Sequence, residues 1–163
     1  MTDATAGDAS VIAEIRSRAA DALTQEFGPG HWSTPATEKG VLFSMRYARV
    51  LLAKQAGRIV GTLRLASKKP WAIDPGHFTA VKRAVYLTDM AVDPAAQRQG
   101  VGRALIDQAL VVAGDWPADS IRLDAYDAPA GAGAFYAKCG FREVGRIVYR
   151  KTPLIYYEKL LDR

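Results

Sequence analysis

The sequence predicts a mixed α/β domain, of the α+β kind, with a central mixed, mostly antiparallel twisted sheet of six to seven strands flanked by about four helices. Three observations predict it. Two stretches of helical periodicity precede a pair of strand-like runs, 48–54 and 58–65, joined by the short turn Gln55-Ala56-Gly57 as an antiparallel hairpin. A strand–helix–strand unit follows over 85–92, 101–113 and 120–126, and its right-handed crossover calls for a locally parallel pair. A last pair of strands, 143–150 and 154–161, closes the chain, so the order is that of a mixed sheet rather than a doubly wound one.

Residues 1–9 are small and polar and are frayed or form a short edge segment. Ser10 caps a helix whose apolar positions Val11, Ile12, Ile15, Ala19, Ala22 and Leu23 follow helical spacing, and Gly28-Pro29-Gly30 ends it. A second helix opens at Thr34, with Pro35 at its first position, and runs through Val41, Leu42 and Met45. His31 and Trp32 fall in the connection and read as packing before substrate contact. From 67 to 84 all periodicity is lost, yet the stretch holds Trp71, Ile73, His77 and Phe78. Such a loop is a lid or binding loop, or packs on its neighbour. In the helix 101–113, Leu105, Ala109 and Val112 face inward; in the strand 120–126, Ile121, Leu123 and Ala125 share one face. A short helix over 131–139 is closed by Gly140.

A length of 163 residues fits one domain, 1–163, able to bury an ordinary core without staples. Its 22 basic and 17 acidic side chains are scattered, which suits a phosphorylated ligand and speaks against nucleic acid, where a concentrated patch is needed. The single cysteine, Cys139, excludes an intramolecular disulfide, and with His31 and His77 it shows no metal-ligand spacing, so no metal is expected. The N-terminus lacks the basic and apolar regions of a secretion signal, and no apolar run approaches the roughly 18 residues of a membrane span. The expected compartment is the cytoplasm, with no membrane partner.

The stretch 86–113, YLTDMAVDPAAQRQGVGRALIDQALVVA, concentrates the chemistry. A helix that opens at a Gly-x-Gly loop leaves its first N–H groups without intrahelical partners and puts the positive end of its dipole behind them. That is an anion site. A dinucleotide fingerprint needs a third glycine where Leu105 stands, and a phosphate loop ending in Gly-Lys-Ser/Thr is absent.

The loop Gln97-Arg98-Gln99-Gly100-Val101-Gly102, after a strand ending MAVDP, resembles the Q/R-x-x-G-x-G/A hallmark of the GNAT superfamily of N-acetyltransferases. FYAKCGF at 135–141 is similar to that family's aromatic-Tyr-x-x-x-Gly-Phe element, and PLIYYEKLL at 153–161 to the closing strand of many members. The three elements span about half the chain in the family's order. The resemblance implies a GNAT-like fold and acetyl-CoA as cofactor. It implies that Gln97, Arg98, Gln99, Gly100, Val101, Gly102 and Arg103 hold the pyrophosphate, chiefly through backbone amides, and that the main chain of Met90, Ala91 and Val92 follows the pantetheine arm. The side chains of Arg98 and Arg103 either add charge-assisted contacts or are solvated surface groups.

For catalysis the resemblance implies polarisation of the thioester carbonyl by the Val92 N–H and a general acid at Tyr136, a phenol with a reference pKa of about 10. Tyr136 read alone is a core aromatic. The general base is open. Strand alternation puts Met90, Thr88 and Tyr86 on one face and Asp89 on the other. The family often carries a carboxylate at the positions of Thr88 or Tyr86, so Thr88 and Asp89 are the candidates, Asp89 needing a bulge to reach the site or else holding a neighbouring arginine. Pro129 stands where many members have asparagine, and the usual first strand is short or missing. The leading expectation is acetyl transfer from acetyl-CoA to a primary amine of a small molecule by direct attack on the thioester. The alternatives are a non-catalytic acyl-CoA-binding or sensor module and a protein N-terminal or lysine acetyltransferase. Terminal strands often serve as dimer contacts in relatives, so a homodimer is a further expectation.

Overall fold

In the computed structural model, which describes residues 1–162, seven strands form one sheet in the order β1-β2-β3-β4-β5-β7-β6. The strands are β1 (Thr2–Asp3), β2 (Arg49–Gln55), β3 (Arg58–Ala66), β4 (Ala84–Val92), β5 (Ser120–Tyr126), β6 (Arg142–Tyr149) and β7 (Thr152–Leu160). The helices are α1 (Ala9–Phe27), α2 (Glu38–Met45), α3 (Val101–Asp115) and α4 (Gly133–Lys138). All pairings are antiparallel except β4 with β5. The N-terminal edge is the short segment expected, with Thr2 and Asp3 opposite Leu52 and Leu51.

Strand alternation divides the core. On one face Leu51, Leu63, Leu65, Ile121 and Leu123 pack against Leu105, Ile106 and Ala109 of α3. Each such buried aliphatic side chain contributes roughly 1.5–3 kcal/mol relative to exposure. On the other face Val50 and Leu52 meet Ile12, Ala13 and Val41 of α1 and α2. Further along that second face, Ile73 and Phe78 pack with Tyr86 and Tyr156.

Three sequence expectations change or are resolved. Helix α1 starts at Ala9 with Asp8 before it, so Ser10 lies inside its first turn and is not the cap. Helix α2 begins at Glu38 and not after Thr34, because Thr37 is the cap, its hydroxyl accepting from the Gly40 N–H at 3.1 Å. Pro35 lies in the extended run before it, where the Ser17 hydroxyl accepts from Ala36 N and donates to Ala36 O. The loop 67–84 is fastened to the sheet rather than poised as a lid. Tyr156 accepts from Asp74 N and donates to Ala72 O, and Thr79 donates through both N and Oγ1 to the buried Glu158. Arg122, buried beside Glu158, donates to Thr79 O at 2.6 Å and lies 4.9 Å over the Phe78 ring.

Candidate active site

β4 and β5 are paired only where Ala84, Val85 and Tyr86 meet Ser120, Ile121 and Arg122. Beyond Tyr86 the two strands diverge, and β5 keeps its other edge on β7 while β4 keeps its other edge on β3. The gap is the mouth of a cavity of about 530 Å³. Its floor is the bent end of β4, from Leu87 to Ala91; Asp124, Ala125 and Tyr126 of β5 form one wall. Tyr136 closes it from α4, and α1 with the segment 31–36 covers the opposite side.

The bend in β4 has a local cause. Thr62 pairs with Ala91 and Arg64 with Thr88, so two β4 residues, Asp89 and Met90, stand opposite Leu63. This is a β-bulge, with Asp89 in the left-handed region at φ 54°. The bulge breaks the alternation that sequence reading extended through the strand. Met90 joins the α3-side core with Leu87, while Tyr86 lies on the opposite face, so Met90, Thr88 and Tyr86 do not share one face. The bulge also brings Asp89 to the cavity, where Arg16 of α1 donates to Oδ1 at 3.0 Å and Arg64 of β3 donates to Oδ2 at 3.3 Å. Both oxygens are therefore held by guanidinium groups. Thr88 also lines the cavity, and its hydroxyl is buried without a hydrogen-bond partner among the described residues.

Just past the bulge, where β4 ends, Asp93 N donates to Val60 O, so its main chain turns toward β3. Alternation then turns the main chain of Val92 toward the gap. The Gln97 side chain donates to Val92 O at 3.2 Å. Arg98, at φ 61°, and Gly100, at φ 81°, coil the loop into the start of α3. Ala104 N is bonded to Gly100 O, so the amides of Val101, Gly102 and Arg103 precede the helical ladder. A Cβ on Gly102 would come within 3.2 Å of the Phe135 ring, so a side chain here would press the first turn of α3 against α4. Arg103 is half-exposed and spans Asp107 and the Lys138 carbonyl, whereas Gln99 is folded back on Ala95 O.

Three ionisable groups at the gap are shifted upward by burial, the Tyr126 phenol among them. Burial raises the Tyr136 phenol well above its usual range, reinforced by the nearby Asp124 and Cys139. Burial also raises the Asp124 carboxyl. The Tyr136 hydroxyl reaches the Met90 sulfur at 3.8 Å, so it points across the end of the gap to β4.

The family model for the acetyltransferase (GNAT) family matches residues 17–141. The chain belongs to that family. No curated protein matches the acetyltransferase at a significant level by sequence. Its fold is shared with ribosomal-protein-alanine N-acetyltransferase from Brucella melitensis, at TM-score 0.73 and 20% identity over 98% of both chains. It is also shared with aminoglycoside 6'-acetyltransferase type Ii, at 0.70 and 15% over 99% of this chain and 97% of that one. A third similar structure is yncA from Salmonella typhimurium, solved with its cofactor acetyl-CoA, at 0.71 and 17% over 99% and 93%. At these identities the likeness establishes the fold.

The acetyltransferase fold thus gathers Tyr136, Asp89, Thr88 and Met90 at one cavity and places the loop 97–103 at the start of α3. Sequence reading missed Asp124, Tyr126 and Arg16; of its two readings for His31 and Trp32, packing before substrate contact, Trp32 packs on Tyr126 and both residues line the cavity. Asp124 had a signal only in retrospect. It lies on the face of β5 opposite Ile121, Leu123 and Ala125, a position that alternation assigns equally to solvent or to a second cavity. Among the described residues no cluster suits a metal ion, and no helix is long and apolar enough to cross a membrane.

Proposed function

We propose that this acetyltransferase moves an acetyl group from acetyl-CoA to the primary amine of a small molecule. The observation that carries the reading is the divergence of β4 from β5 at a cavity where Tyr136 and Asp124 meet. The residues suit the cofactor: the amides of Val101, Gly102 and Arg103 at the start of α3 are an anion cradle, with the loop Gln97, Arg98, Gln99 and Gly100 leading into it. The main chain of Met90, Ala91 and Val92 supplies a strand edge for the pantetheine arm. Bound there, acetyl-CoA supplies an acetyl thioester.

The chain's own groups divide the rest of the work. The Val92 N–H is positioned to hold the carbonyl oxygen as negative charge develops on it. Asp124, a carboxylate with a raised proton affinity, takes a proton from the acceptor ammonium. Tyr136, kept protonated by burial, holds the proton that the departing sulfur needs. In this scheme Asp89 organises Arg16 and Arg64 and is not the base, since both its oxygens are engaged. Thr88 lines the cavity with its hydroxyl buried. A small acceptor fits because α1 and the segment 31–36 cover the cavity, whose volume lies in the range of small-molecule sites.

The test is thiol release from acetyl-CoA across a panel of amines, beside calorimetric titration of acetyl-CoA. Binding with turnover of small amines supports the reading. Binding without turnover points to a carrier or sensor, and absence of both refutes acetyl-CoA use.

A further inference from the structure

The charges around Asp89 do not cancel. One carboxylate is shared between Arg16 and Arg64, two guanidinium groups, which leaves a net positive charge where α1 and the bulged end of β4 meet the cavity. Arg16 itself lines the cavity and gives Asp89 only a single Nη2 bond, so further N–H donors remain on a planar group suited to carboxylate. Across the gap, on the β5 side, stands Asp124. Between these poles lies an apolar and aromatic surface. Trp32 packs edge-on against Tyr126 with centroids 5.7 Å apart, and the one polar atom of Trp32 is spent on Gly28 O at 3.0 Å. Leu23 and Pro35 extend the surface.

A cavity with a cationic side, an anionic side and an apolar wall is complementary to a zwitterion. We propose that the acceptor is an amino acid with an apolar side chain, its carboxylate held by Arg16 and its amine turned toward Asp124. This rests on the N-acetyltransferase reading above and deepens it. In the step, a C–N bond forms to the acetyl carbon and the C–S bond breaks. Of the two protons the ammonium nitrogen loses, one ends on the sulfur through Tyr136 and one leaves through Asp124 to water. The shared carboxylate of Asp89 makes Arg16 a specificity residue whose guanidinium is fixed before the acceptor arrives, a pre-organised anion hold.

The experiment uses the full chain with acetyl-CoA and matched acceptors: phenylalanine, its amide and phenethylamine; leucine, its amide and isoamylamine. The free acids should exceed both their amides and their decarboxylated amines in kcat/KM by about tenfold or more, the size expected when one charged partner is missing. In Arg16→Met that preference should fall about tenfold, mainly through KM for the acid, and Arg16→Lys should restore part of it. Amides or plain amines turned over as well as the acids would overturn the inference while leaving the N-acetyltransferase reading intact, and amides preferred would indicate a peptide N-terminus instead. A preference for acids that persists unchanged in Arg16→Met would also overturn it. Failure of acetyl-CoA to bind, read separately by calorimetry, is the failure of the underlying reading.

Discussion

The Tyr136 hydroxyl lies 3.8 Å from the sulfur of Met90, across the end of a gap in which β4 and β5 have ceased to pair. The phenol is thus buried next to a soft, weak acceptor, and burial together with the nearby Asp124 favours its protonated form. Replacing it by phenylalanine keeps the ring and its edge contacts with Phe135 and Phe141 and removes the hydroxyl with the proton it holds. Tyr136→Phe should lower kcat by roughly 10²–10⁴-fold, with acetyl-CoA affinity nearly unchanged. Steady-state thiol release and calorimetric titration read the two quantities.

Asp124 should give opposite signs in activity and stability. Burial raises its folded-state pKa above the unfolded value, so the folded state binds the extra proton and stability falls as pH rises through that window. Above that window the buried carboxylate is a net cost to folding. Asp124→Asn should therefore melt higher than the parent at pH 7 and no higher at pH values below the unfolded pKa. Its kcat/KM should drop by about 10²-fold, and the acid limb of the parent's pH profile should disappear. A variant that loses stability at pH 7 along with activity would contradict this.

Gly102 is a position where shape decides affinity. A side chain there would meet Phe135 at 3.2 Å and the Met90 methyl at 3.5 Å, at the turn proposed to cradle the pyrophosphate. Gly102→Val should raise the dissociation constant for acetyl-CoA about tenfold, equivalent to about 1.4 kcal/mol. Gly102→Ala should raise it less, because only one atom must be accommodated. Equilibrium titration with acetyl-CoA distinguishes the two.

The turn between β6 and β7 carries avoidable strain. Arg150 and Lys151 have φ of 46° and 68°, the geometry of a two-residue turn that favours Asn-Gly. Substituting Asn-Gly at 150 and 151 should stabilise the fold by about 1 kcal/mol, raising Tm by roughly 2–4 °C for a chain of this size. Thermal melts at one pH and salt concentration suffice.

Glu158 should be among the most costly residues to change away from the cavity. It is buried, paired with Arg122 at 3.4 Å, and accepts two bonds from Thr79 in the loop 67–84. Glu158→Leu leaves the buried Arg122 uncompensated and frees the loop, which should cost about 3–5 kcal/mol. Denaturant midpoints with an unchanged m-value would report it.

Much of the fold was legible because its signals are local. The turn Ala56-Gly57, the Gly100 coil and the alternation of Ile121, Leu123 and Ala125 each act within a few residues, and each element appears where the chain indicates. The start of α2 was misplaced because Pro35 and Thr37 are both helix-start signals, and the contact of Ser17 with Ala36 decides between them from another element. For the loop 67–84 a lid and a packed segment stayed equally open, because nothing local reveals that Glu158 and Tyr156 would hold it.

The sequence by itself determined a mixed sheet with one parallel crossover and a candidate anion site at the helix start of Gly100 to Gly102. These follow from periodicity and glycine geometry, whereas a role for Tyr136 is implied only by the resemblance of 135–141 to the family's element. Only the tertiary structure decided what surrounds the acceptor. The bulge at Asp89 reverses the alternation of β4, hands its carboxylate to Arg16 and Arg64, and leaves Asp124 on the next strand as the carboxylate turned to the gap. Those relations join residues far apart in the chain. Their physical basis, burial and charge balance, exists only once the strands have parted.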